Sequence, residues 1–591
     1  VGDTVTQVLE AAARQHAQRP ALRFKQDGAW QTLTWSEYLR EVRRTARGFM
    51  SLGLRPGQGV VIMGFNRAQW FLADLGAIAA GGLPAGIYQT STPDQCRYVC
   101  QHAQAAVAVV EDARYLELFL SLRSSLPDLR AIVLMNGQSD QPGVMAWDDL
   151  LRAGDAVPEA ELDARTAAQQ DGDCATLIYT SGTTGTPKGV MLSHRNLVWT
   201  ARQIVTHLQV THDDLMVSYL PLSHVAEQVL SMHSPMAAGA LVTLAESFEA
   251  LADNLREVRP TFFFGVPRVW EKMQAAMQAA GAQASPLRRR IAAWARRQGL
   301  AGGRAEQEGR RPPVLHGLAR RLVFDTVRAR LGLDRARVCA VSAAPIGVAT
   351  LEYFLSLGIP ILEVYGMSEC TGPATMSLPG AYRTGTAGRA IPGTDLRLAA
   401  DGEILIRGPH VFLGYFRDEA ATRETLDDEG WLHSGDVGET DAQGYLRVTD
   451  RKKELLITSG GKNVAPQPIE TRLRQIPGIG HAVAVGERRH YVAALLTLDS
   501  TRVPTVAAQA GSPARDSSAA VACPLFRAYL QRQVEVVNGT LARYESVRRF
   551  EVLPEEFTVD GGELTPTLKL KRRVVYQKYA DVIERLYEEA G

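Results

Sequence analysis

The sequence predicts an α/β fold: a large N-terminal domain of βαβ-type sheets with a β-rich subdomain, and a small mobile α+β domain at the C-terminus. Three observations carry that expectation. Short apolar runs of strand length alternate with longer stretches of helical periodicity, the pattern of βαβ units around a mostly parallel sheet. The composition turns toward strands and turns between Asp395 and Thr449 and then meets a charged run, Asp450-Arg451-Lys452-Lys453-Glu454. Finally, 591 residues exceed what a single hydrophobic core accommodates, so at least two domains are required. We place a large domain at 1–451, its β-rich part at about 376–450, and the small domain at 452–591.

In order along the chain, Val5 to His16 sets Val5, Val8, Leu9 and Ala12 at helical spacing, and Trp35 to Leu52 repeats the pattern. Gly59 to Gly64 reads as a buried strand, Ala68 to Ala80 as an apolar helix, and Ala105 to Val110 as the next strand. The rhythm resumes with a strand over Cys174 to Thr180, a helix over Asn196 to Leu208 and a strand over Leu241 to Leu244. Thr261 to Val266 and Val338 to Ser342 are strands that end in small residues, and ligands of open α/β sheets gather beyond such carboxyl ends. Two segments break the rhythm. Pro286 to Arg311 is rich in arginine, and Ser500 to Cys523, rich in Ala and Ser, reads as a mobile surface excursion.

Composition narrows the functional classes. Hydrophobic residues make up 46% and charged residues 22%, as in ordinary globular proteins, and the net charge of +1 offers no global attraction to nucleic acid. The six cysteines are scattered without CxxC pairs, which suggests neither a zinc site nor a disulfide framework and fits a cytoplasmic setting. Val1-Gly2-Asp3 opens no signal-peptide pattern, and no apolar run reaches 18 residues. Membrane contact, where it occurs, is expected to be peripheral, through the basic segment 286–311. Leu287, Ile291, Trp294 and Ala295 would rest on lipid there while arginines meet phosphates. The first reading of this segment is a solvated basic helix with no special role, and the membrane patch is the second.

The most informative stretch runs Ile178-Tyr179-Thr180-Ser181-Gly182-Thr183-Thr184-Gly185-Thr186-Pro187-Lys188-Gly189-Val190. Glycines let backbone N–H groups approach a polyphosphate, hydroxyls donate to its oxygens, and Lys188 offsets its charge. A surface turn shares this composition, but here the run follows directly on a buried strand. It is not a Walker A loop, because Gly182 and Gly185 enclose two residues and Gly189 follows the lysine.

This run resembles the phosphate-binding loop of the adenylate-forming superfamily of acyl-CoA synthetases, luciferases and adenylation domains. Further motifs of that family follow in order. Tyr365-Gly366-Met367-Ser368-Glu369 resembles the motif whose aromatic ring packs on adenine, whose hydroxyl contacts the α-phosphate and whose Glu ligates magnesium. Trp431 to Asp436 is similar to the segment whose Asp holds the ribose hydroxyls, and Asp450 to Glu454 to the hinge, with Arg451 on the ribose and Lys453 near the pivot. Ser342-Ala343-Ala344 is similar to the adenine-binding turn. His224 matches a position bordering the carboxylate and acyl tunnel, although the aromatic gate of the family has no evident counterpart beside it. Gly265-Val266-Pro267-Arg268 resembles a loop of that channel.

Near the C-terminus, Leu564 to Arg573 resembles the loop whose lysine bridges carboxylate and α-phosphate. Register selects Lys569, with Lys571 as its rival. Thr458 to Asn463 matches the loop that moves in for thioester formation, where Gly460 and Gly461 leave room for a pantetheine arm. The Phe262 to Lys272 run, the basic insertion after it and the Leu-Thr-Pro-Thr-Leu-Lys ending resemble the long-chain group, bubblegum type. The resemblance implies ATP, magnesium and CoA, with a fatty acid as substrate. The alternative is an adenylating enzyme that loads a carrier protein's phosphopantetheine. A second is a non-catalytic relative, against which stand Lys188, Glu369, Asp436, Arg451 and Lys569.

Overall fold

The structure, a computed structural model, describes residues 2–180, 186–459, 462–559, 561–565 and 569–588. Two large sheets form the N-terminal part. One has eight strands and holds Gly59–Met63, Leu83–Ile87 and Ala105–Val110 as parallel neighbours. The second has nine, with Leu241–Leu244, Leu215–Ser218, Phe262–Gly265, Val338–Val341 and Ile361–Met367 parallel through its middle. Between them lies the helix Ala68–Ala79, apolar on nearly every face and therefore buried on all of them. The sheets meet closely: a Cβ on Gly86 would come within 2.6 Å of the Ser223 Cα, which brings the Ser223-His224 turn against the first sheet.

The β-rich region is a four-stranded antiparallel sheet, ordered Asp395–Leu398, Glu403–Arg407, Leu432–Thr440, Leu446–Arg451. Beyond it, a three-stranded sheet of Ile479–Val485, Val492–Leu498 and Val547–Val552 is covered on both faces.

 Period-two alternation explains this: Ala482, Ala484, Ala494 and Leu496 face one core with Ile469 and Leu530, while Val483, Val485, Ala493 and Leu495 face another with Val575 and Leu586.

Two expectations change. Ser500 to Cys523 is no loose excursion: it forms the helices Val503–Gln509 and Ser517–Ala522, and Val503, Val506, Ala507 and Ala520 are buried in the C-terminal core. Small apolar side chains suffice to dock short helices, although they give a weak hydrophobic signal. The arginine-rich segment is a helix, Pro286–Gln307, whose glycines are contact points. A Cβ on Gly299 would meet the Ser356 carbonyl oxygen at 2.1 Å, and one on Gly303 would meet Leu355 at 2.3 Å. Trp294 and Ala295 pack inward with Ala319 and Phe324, so they are not lipid-facing, whereas Leu287 and Ile291 stay exposed. No helix among the described residues is long and apolar enough to cross a membrane.

Candidate active site

Because the central strands of the nine-stranded sheet are parallel, their carboxyl ends deliver successive loops to one edge. Val338–Val341 leads into Ser342-Ala343-Ala344, where Ala343 takes a left-handed conformation (φ 74°) that fixes the turn at some cost in strain. Val341 lies opposite Glu363, so the register sets this turn alongside Tyr365. Gly366 follows at a bulge, where a Cβ would lie 1.7 Å from the Gly372 carbonyl oxygen; only glycine fits. Ser368 and Glu369 are buried in the short turn after it.

Two polar groupings converge here. In the first, Asp436 and Arg451 are register partners of adjacent antiparallel strands, and their side chains pair at 3.2 Å. The Tyr365 hydroxyl donates to the other Asp436 oxygen at 2.9 Å. Burial raises the pKa of Asp436, while Arg451, the tyrosine bond and Lys569 oppose the rise. In the second, the Tyr415 hydroxyl donates to Glu369 Oε1 at 2.7 Å, and the Lys188 ammonium lies 4.6 Å from the centre of the Tyr415 ring. Lys188 opens the strand Lys188–Ser193 and lies opposite Thr180, the last residue of its antiparallel neighbour Cys174–Thr180.

Lys569 joins both groupings. Burial, then the charge of Arg451, pushes its ammonium down to about 8, while Asp436 and Glu369 act to hold it up. A local clasp presents it: the Thr565 N–H donates to the Lys569 carbonyl at 2.7 Å, and the Lys569 N–H to Thr565 Oγ1 at 3.0 Å. His224 stands near Lys569 as an uncharged polar group. Burial, then Lys569, pushes its imidazole down to about 3, so the ring is neutral. Its Nδ1 accepts from the Ala226 N–H at 3.2 Å, which puts the ring proton on Nε2.

Other expected residues lie apart. Lys453 is exposed in the turn Lys452–Glu454, whereas its neighbour Lys452 pairs with Asp401 and Glu403. Lys571 caps the next helix, with its N–H donating to the Glu563 carbonyl. Ser181, Gly182, Thr183, Thr184, Gly185, Gly460 and Gly461 lie outside the described residues. Sequence reasoning missed Tyr415, which belongs to a two-residue strand without periodicity. It also missed Arg572, which read as part of a basic patch but is buried, bidentate to Glu470 at 2.6 and 3.0 Å.

A sequence model of AMP-binding enzymes matches residues 9–416, and one of the AMP-binding enzyme C-terminal domain matches 453–591. The chain belongs to the AMP-binding enzyme family. Its relatives in that family include a Xenopus laevis protein named long-chain-fatty-acid–CoA ligase ACSBG2. It is 40% identical over 625 residues, covering 100% of this chain and 84% of that protein. The human protein of the same name is 37% identical, with 99% of this chain and 92% of that protein covered. Among solved structures, an anthranilate CoA ligase bound to anthranoyl-AMP superposes with a TM-score of 0.75 at 22% identity, over 99% of this chain and 98% of that one. At that identity the likeness speaks for the fold.

Proposed function

We propose that this AMP-binding enzyme is a long-chain fatty acid–CoA ligase that works in two steps through an acyl-adenylate. The observation that carries the reading is the position of Lys569, a C-terminal side chain set among Asp436, Glu369, Arg451 and His224. In the first step a fatty carboxylate oxygen attacks the α-phosphorus of ATP. The acyl–O–P bond forms, the bond to the β-phosphate oxygen breaks, and diphosphate leaves. Two anions must approach, so the residues have to supply positive charge and fixed donors. Lys569 bridges the carboxylate and α-phosphate, Lys188 neutralises the outer phosphates, and His224 offers its Nε2–H to the acid. A base is unnecessary, because the carboxylate is already ionised.

Tyr365 and the Ser342-Ala343-Ala344 turn hold adenine, Ser368 contacts the α-phosphate, and Asp436 with Arg451 binds the ribose. Glu369 is a hard oxygen donor with Oε1 engaged by Tyr415, which suits a magnesium ion held through one carboxylate and nucleotide phosphates. That ion would neutralise phosphate charge. In the second step the CoA thiol attacks the acyl carbon: the C–S bond forms, the bond to the phosphate oxygen breaks, AMP leaves, and the thiol proton passes to solvent. We place the pivot for the exchange of steps at 451–453, with Gly460 and Gly461 lining the pantetheine path.

The test is incubation with MgATP, palmitate and CoA, following AMP and palmitoyl-CoA by mass spectrometry, with Lys569→Ala alongside. Wild type should form both products, and the variant should lose adenylation by at least about 100-fold. Acyl-adenylate without thioester would support transfer to a carrier protein instead, and absence of AMP with any acid would sink the ligase reading.

A further inference from the structure

The arginine-rich helix does not stand alone. The chain returns along it through His316–Ala319 and a wide turn, Arg320–Phe324, making a helical hairpin. A Cβ on Gly302 would lie 2.3 Å from the His316 ring, and one on Gly299 would lie 2.8 Å from Phe324. Ala295, Ala319 and Phe324 close the inner seam. Outside it, Leu287 is 68% exposed, Val314 98% and Leu322 56%, and Ile291, Leu315 and Leu318 are exposed as well. These six account for nearly half of the large exposed apolar side chains among the described residues. Leu315, Leu318 and Leu322 recur at i, i+3 and i+7, and Leu287 and Ile291 at i and i+4, so each string follows one face of its helix.

Charge surrounds these side chains. Residues 286–325 hold ten arginines against three carboxylates, in a chain whose net charge is only +1. Two of the three carboxylates are already paired within the hairpin, Glu308 with Arg310 and Asp325 with Arg320. Arg288, Arg289, Arg290 and Arg321 form no ion pair among the described residues. Exposed apolar side chains on the hairpin, with long cationic side chains beside them, match an interface whose interior is hydrocarbon and whose surface is anionic phosphate. A second copy of the same surface would set one dense positive field against another, which disfavours self-pairing.

We infer that the helical hairpin 286–325 docks this protein on an anionic lipid bilayer surface, with the leucine tips entering the acyl boundary and the arginines on lipid phosphates. The docking is peripheral. It goes beyond the ligase reading, and its readout needs no substrate, so the two fail separately.

The full chain would be sedimented with phosphatidylcholine vesicles, alone and with roughly one third phosphatidylserine, at low and high salt. Wild type should pellet with the anionic vesicles only, and less at high salt. Arg288→Gln/Arg289→Gln/Arg290→Gln should weaken partitioning about fivefold per arginine removed. Leu315→Ser/Leu318→Ser/Leu322→Ser should release the protein at matched charge. Both sets lie on exposed positions, and both variants should keep the wild-type melting temperature. Failure of wild type to bind, or binding unchanged in both variants, overturns the inference. So does self-association of wild type that the leucine variant abolishes, which would assign the surface to a second copy.

Discussion

At the scale of single residues, Lys569 carries the sharpest consequence. Its ammonium is held down to about 8 by burial and by Arg451, so its charge is complete below that value and lost above it. Since adenylation needs the charge, kcat/KM for diphosphate release should fall as pH rises beyond about 8. A guanidinium stays protonated throughout that range. Lys569→Arg should therefore remove the alkaline limb, even where its maximal rate is lower. An alkaline limb of unchanged position in that variant would assign the titration to another group. The same residue shows what sequence can resolve: two lysines lie two positions apart, and pattern alone leaves Lys569 and Lys571 as rivals. Folding separates them, since Thr565 clasps the backbone of one while the other begins a helix.

At the scale of elements, legibility follows apolar contrast. Ala105–Val110 and Leu241–Leu244 stand where their largely apolar runs put them, because buried parallel strands read as nearly continuous hydrophobic segments. Ser500 to Cys523 was illegible for the opposite reason, since Ala and Ser carry little contrast even when buried. Tyr415 was illegible because its partner Glu369 is 46 positions away in sequence. The helix Ala68–Ala79 was legible as apolar, but its single acid holds a further consequence. Asp74 is fully buried, and neither of its oxygens nor the Tyr38 hydroxyl has a hydrogen-bond partner among the described residues. Burial pushes its pKa up to about 8 from an ordinary 3.8. The folded state thus binds a proton that the unfolded chain has released, and stability drains as pH climbs from about 4 to about 8, at up to about 1.4 kcal/mol per pH unit. Asp74→Asn removes this slope. The melting temperature of the variant should draw ahead of wild type between pH 5 and pH 8, and an equal gap at both values would refute the assignment.

At the scale of the whole molecule, a C-terminal lysine, Lys569, stands near the N-terminal carboxylates Asp436 and Glu369, as the proposed adenylation step would use it. Contacts away from the site hold it there. Arg268, the second residue of the helix Pro267–Ala282, reaches Asp499 at 3.4 Å. Gly347 leaves so little room that a Cβ would lie 1.9 Å from Gln475 Nε2. In the proposed cycle the C-terminal domain turns away for thioester formation, and the Arg268–Asp499 bridge would then break. The bridge consequently favours the first step over the second. Being partly exposed, it is worth about 1 kcal/mol. Arg268→Ala should slow diphosphate release about fivefold, while conversion of supplied palmitoyl-adenylate and CoA to thioester stays as fast or becomes faster. Asp499→Asn should reproduce the effect from the other side of the contact. Equal loss in both half-reactions would show that Arg268 acts on the acyl channel itself and leaves domain closure to other contacts.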